Sequence, residues 1–117
     1  MSGGRRERVA PPPIGEEWDV KFGKSDAKRG WDELCRTATA NARKAFEALR
    51  AQPCPFPETN RQHRLKGSLK STTFDGQSYP LWQYEVTSGG RIWYCVDEAK
   101  RIVWLLHAGP GHPKVTE

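Results

Sequence analysis

The chain has 117 residues, with 19 lysines and arginines against 14 acidic side chains and a formal net charge of +5. A chain of this size forms one domain that buries roughly two-thirds of its unfolded surface, enough for a single core. Five tryptophans exclude a wholly disordered protein, no apolar run approaches the ~20 residues of a membrane span, and the N-terminus lacks an apolar signal core, so the cytoplasm is the expected location.

Residues 1–16 (MSGGRRERVAPPPIGE) are polar, glycine-rich and then triple-proline, and read as a disordered or extended basic tail ahead of one domain spanning 17–117. Arg5, Arg6 and Arg8 read there as solvated charges. Trp18, Val20 and Phe22 alternate with Asp19 and Lys21, the pattern of a short strand with one buried face. Trp31, Leu34, Cys35, Ala38, Ala42, Ala45, Phe46 and Leu49 recur at helical spacing and predict a long helix, or a helix pair. Ser25 or Asp26 is its expected cap, Gly30 divides off a frayed first turn, and Pro53 ends it. Small alanines on that stripe let the helix lie close to a sheet, and its arginines read as a solvated face.

Proline-rich residues 53–59 predict an extended connection, residues 62–69 a strand that turns at Gly67, and residues 70–80 a loop broken by Asp75-Gly76 and Pro80. Residues 81–87, 91–96 and 102–107 are rich in aromatic and β-branched side chains and predict three antiparallel strands. With 88–90 as the hairpin loop, Thr87 faces Arg91, Val86 faces Ile92, Glu85 faces Trp93 and Tyr84 faces Tyr94. Trp82, Tyr84, Val86, Ile92, Tyr94 and Val96 then share a core face. Gln83, Glu85, Thr87, Arg91, Trp93 and Cys95 share a polar one. Pairing Val96 with Ile102 adds His107 to the polar face, opposite Arg91. Helices on one side of an antiparallel sheet make an α+β fold.

Cys35, Cys54 and Cys95 are odd in number and widely spaced, so they match neither a disulfide framework nor a metal site, and reduced thiols are expected. The Ser-Gly-Gly of the hairpin joins two strands and is not a phosphate loop. Neither a metal nor an organic cofactor is expected. What remains is a dispersed set: His63, Arg64 and Lys66, then Arg91 and His107, then His112 and Lys114. These side-chain types suit a ribonuclease that needs no metal. A base takes the 2′-hydroxyl proton, cations hold the charge of the phosphorane, and an acid protonates the leaving oxygen. Trp93 or Tyr79 is a candidate to stack on an unpaired base. The same residues also suit ordinary surface charges and a strand-end histidine.

The series R-L-K-G-x-L from Arg64, then L-W-Q-Y-E-V, G-R-I-W-Y-C-V-D and R-I-V-W-L-L-H-A-G, resembles the RelE/ParE superfamily of toxins from type II toxin–antitoxin systems, nearest its HigB/RelE-like branch. The resemblance covers about 18–117 and implies helices packed on a small antiparallel sheet with a basic last segment. It also implies ribosome-dependent cleavage of mRNA, inhibition of translation, and a cognate antitoxin that is acidic or carries a helix-turn-helix. On that pattern Arg91, His112 and Glu85 are the catalytic candidates. Lys66, Arg64, Lys114, Trp93 and His107 are the RNA-binding ones. Gln83 and Glu85 stand where relatives carry lysines, and no tyrosine follows Lys114. Glu85 is open to two roles, a carboxylate base or an ion-pair partner of Arg91. The other reading on the same scaffold is a non-catalytic ParE-like binder of DNA gyrase, or a degenerate toxin acting as a protein- or RNA-binding module.

Overall fold

The apolar stripe folds as two helices that turn a common face inward. In the computed structural model, which describes residues 6–110, α1 spans Ser25–Thr37 and α2 spans Thr39–Ala51. Ala27, Trp31 and Leu34 of the first are buried, as are Ala42, Ala45, Phe46 and Leu49 of the second. Ala38 leaves helical geometry between them at φ −140° and ψ 58°. Its neighbours compete with the helical ladder, since the Thr37 hydroxyl donates to Glu33 O and the Thr39 hydroxyl to Cys35 O.

The helix begins at Ser25, but its N-cap is Lys24, with no side-chain cap, so neither Ser25 nor Asp26 caps it as expected. Gly30 does not divide a frayed turn either. It lies inside α1 against strand β7 (Ile102–Pro110), where an added Cβ would fall 1.6 Å from the Ala108 carbonyl oxygen.

The main sheet has five strands in the order β1 (Asp19–Phe22), β7, β6 (Gly90–Asp97), β5 (Trp82–Glu85) and β2 (Gln62–Arg64). It is mixed rather than antiparallel, because β1 pairs with β7 in parallel. That pairing joins segments about eighty residues apart and leaves no local signal. The expected 70–80 loop is instead a second sheet, the hairpin β3 (Ser71–Phe74) and β4 (Gln77–Pro80). Asp75 and Gly76 form its turn with φ of 54° and 79°, the doubly left-handed geometry that an Asp-Gly pair favours.

The hairpin register differs from expectation by two residues. Thr87 and Gly90 close the turn, so Glu85 pairs with Arg91 and Tyr84 with Ile92. A shift of two keeps every side chain on its face. Trp82, Tyr84, Val86, Ile92, Tyr94 and Val96 all enter the main core under the helices. The last strand is off by one: Ile102 pairs with Asp97 and Val103 with Val96. The register then shifts beside Tyr94 and Trp93, leaving Leu106 as an extra residue. This bulge returns His107 to the predicted face, opposite Trp93 rather than Arg91.

The face away from the helices is not uniformly polar. Phe74 of the small hairpin covers Leu81, Trp93, Cys95, Trp104 and Leu106, making a second buried cluster. Arg6 adds a lid to it, 5.4 Å from the Trp104 ring centroid and bonded at 2.6 Å to Asp75.

Both edges of the five-stranded sheet are occupied. The described part of the N-terminal segment is extended along β1, with Val9 N donating to Val20 O and Phe22 N to Glu7 O. Arg8 pairs with Asp19 at 2.9 Å. On β2, Thr59 N donates to Gln62 O, Gln62 N to Thr59 Oγ1 and Arg64 N to Glu58 Oε1, while His63 Nδ1 lies 3.1 Å from Arg64 O. No helix of the described residues is long and apolar enough to cross a membrane.

One buried polar group ties the helices' end to the sheet. Gln62 Nε2 donates to Gln52 O and to the Tyr94 hydroxyl, each at 3.0 Å, and Tyr94 in turn donates to Pro53 O at 2.8 Å. Burial pushes the Tyr94 hydroxyl well above its ordinary pKa, so it stays a donor. Replacing Gln62 by Leu strands these partners in the interior. We expect a loss of about 2 kcal/mol in urea-unfolding stability, and an unchanged midpoint would show that the network adds nothing net.

Candidate functional site

Alternation along the strands gathers the polar side chains into two rows on the face away from the helices. The first runs across four strands as His63, Gln83, Trp93 and His107. The second, one step further, places Glu85 opposite Arg91 and Arg91 opposite Gly109. His63, Glu85, Arg91 and His107 are each half-buried. The hairpin covers the Cys95 and Trp104 side of this face and reaches Trp93 in the first row, while His63, Glu85, Arg91 and His107 stay outside that cluster.

Trp93 anchors the first row from beneath. It is 7 % exposed, its indole N–H donates to Gln83 Oε1 at 2.9 Å, and the His107 ring meets it edge-on at 6.1 Å between centroids. A ring so buried offers no open face to a base, so Trp93 supports the site instead of stacking in it. Gln83, read as a lost lysine, is the buried acceptor that satisfies the indole. Trp93 was expected to be the aromatic on an open polar surface. The second cluster, built by a hairpin where the sequence predicts a loop, is the reason it is not.

Arg91, Glu85 and His107 are therefore brought together on one face, as expected. Arg64 and Lys66 are not on it. They line an open groove of about 500 Å³ at the β2 edge, with Glu58, Thr59, Asn60, His63 and Leu65. His63 belongs to both places and connects the groove to the first row. His112 and Lys114 lie outside the described residues. The last described residue, Pro110, pairs with Gly90, next to Arg91 in the chain.

Arg61 went unremarked in the sequence. Its backbone carbonyl accepts from Glu85 N at 2.7 Å, and its guanidinium donates to Glu85 O at 2.8 Å, so it extends the second row outward. The available signal was its spacing of two from His63.

The arrangement supplies cations and imidazoles on a sheet face. Among the described residues, no group of three or more His, Cys, Asp or Glu side chains is placed to hold a metal ion. Burial pushes the Cys95 thiol up to about 12 and the Cys54 thiol up to about 11, which keeps both protonated near neutral pH. No protein-family model matches the chain, and no curated protein matches it.

Proposed function

We propose that the chain is a RelE/HigB-like toxin, a metal-independent endoribonuclease that cuts mRNA on the ribosome and is held in check by a cognate antitoxin. The observation that carries this reading is the convergence of Arg91, Glu85 and His107 on one half-buried sheet face, with His63 at the far end of the adjoining row. Arg91 holds the scissile phosphate and the charge that builds on it in the phosphorane, its planar guanidinium matching two phosphate oxygens at once. Glu85, its cross-strand neighbour, is the carboxylate base for the 2′-hydroxyl, and His112 is the acid for the departing 5′-oxygen. His107 and Lys114 hold the neighbouring backbone. The products are a 2′,3′-cyclic phosphate and a free 5′-hydroxyl.

A second reading is favoured by Glu85 facing Arg91. Opposite charges in adjacent register reduce the field available to a phosphate, as suits a non-catalytic ParE-like binder of gyrase. Induced expression separates the two. Growth arrest with loss of mRNA, reproduced by purified protein with ribosomes and message, supports the ribonuclease. Arrest with a DNA-damage response and intact mRNA supports the gyrase binder, and harmless expression sinks both.

A further inference from the structure

Among the described residues Phe56 is the most exposed large hydrophobic side chain, at 95 %, and it belongs to neither buried cluster. Prolines 55 and 57 flank it, which fixes the neighbouring φ angles and restricts the backbone of Phe56 itself. Two residues further on, Glu58 begins the lining of the open groove that holds His63, Arg64 and Lys66. None of the salt bridges among the described residues uses Arg64 or Lys66. The one carboxylate in the groove, that of Glu58, is turned onto the backbone N–H of Arg64 at 3.3 Å.

We infer that Phe56 and this groove form a binding subsite for single-stranded RNA, with an unpaired base stacked on the ring and the adjoining phosphates held by Arg64 and Lys66. Aromatic faces beside a cationic groove are how proteins hold single strands without reading sequence. A duplex hides its base faces in the stack and does not fit such a site. His63 carries the strand from the groove to the row that ends at His107, and so toward Arg91. An apolar pocket on a partner protein is the other kind of ligand that an exposed phenylalanine attracts. The groove whose lining starts two residues after Phe56 is instead lined mainly by polar and charged side chains, which favours the polyanion.

The inference rests on RNA being the substrate, and the test keeps the two apart. Full-length protein is titrated with a short fluorescent 2′-O-methyl oligonucleotide, which lacks the attacking hydroxyl and cannot be cut. Phe56→Ala weakens binding about tenfold and Phe56→Trp restores it. The Arg64→Gln/Lys66→Gln pair lowers the slope of log affinity against log salt by roughly 1.4, the value for two phosphate contacts on a single strand. Because Phe56 is exposed, its variants keep the wild-type melting curve. Wild-type affinity in Phe56→Ala, failure of Phe56→Trp to restore it, or no binding of single strands at all overturns the subsite. So does an unchanged RNA affinity in Phe56→Ala accompanied by loss of a co-expressed antitoxin. If the oligonucleotide binds as described but ribosome-bound message is never cut, the subsite stands and the nuclease falls. If message is cut equally well by Phe56→Ala with unaltered affinity, the nuclease stands alone.

Discussion

Gly30→Ala destabilises the fold by about 3 kcal/mol or more and lowers the melting temperature by roughly 10–15 °C. Helix propensity alone gives the opposite sign, since alanine in a helix interior is worth about 1 kcal/mol over glycine. The geometry decides the contest. The new methyl would sit 1.6 Å from the carbonyl oxygen of Ala108 and 2.5 Å from its carbonyl carbon. Both are backbone atoms of β7 and cannot rotate away as a side-chain tip would. Relief requires α1 to lift off the sheet, which opens the contacts of Ala27, Trp31 and Leu34. Gly89→Ala is the control, because its methyl meets nothing within 4 Å. A Gly30→Ala protein as stable as that control would show that helix and strand are not in this contact.

On the proposed nuclease reading, Arg91→Ala carries the largest effect on activity. If Arg91 holds the charge that develops on the scissile phosphate, its loss slows cleavage of ribosome-bound mRNA by about 10²–10³-fold. The KM for the ribosome changes far less, because the contact tightens only as the phosphorane forms. Growth arrest disappears with it. Arg91 is only half-buried, so a melting curve close to wild type is expected and separates this loss from unfolding. Less than a threefold fall in rate would remove Arg91 from the mechanism. Glu85→Gln sorts the two roles of Glu85 itself. Loss of the base slows cleavage by about 10²-fold or more with ribosome binding kept, whereas loss of a mere ion-pair partner leaves the cleavage rate intact.

Side-chain alternation made most of this face legible beforehand. Trp82, Tyr84 and Val86 were assignable to the core, and Glu85 and Arg91 to the opposite face, because a period of two survives a register error of two. The same logic failed on β7. Its pairing is off by one until the extra Leu106 restores the phase, and nothing in R-I-V-W-L-L-H marks which residue bulges. The parallel pairing of β1 with β7 depends on contacts far apart in sequence, so no window of residues reveals it. Asp75-Gly76 did carry a signal, being the dipeptide of a tight hairpin, yet between mostly polar flanks a turn within a loop accounts for it equally well. Without that hairpin the second core has no cover, and neither the burial of Trp93 nor the purpose of Gln83 follows from the sequence. Gly30 looked like a weak point in the helix, because its close contact with Ala108 depends on packing across the fold.

The occupied borders of the main sheet also limit how another protein joins this one. An exposed strand edge is a template, and many complexes form when a second chain adds its own strand there. Here residues 6–9 already hold the outer side of β1, and Thr59, Glu58 and His63 hold the outward amides and carbonyls of β2. Recruitment by ladder extension therefore begins with eviction of a native segment, and docking on a broad face does not. An inhibitor of this protein is best imagined as a cover laid over the two polar rows, reading side chains instead of backbone.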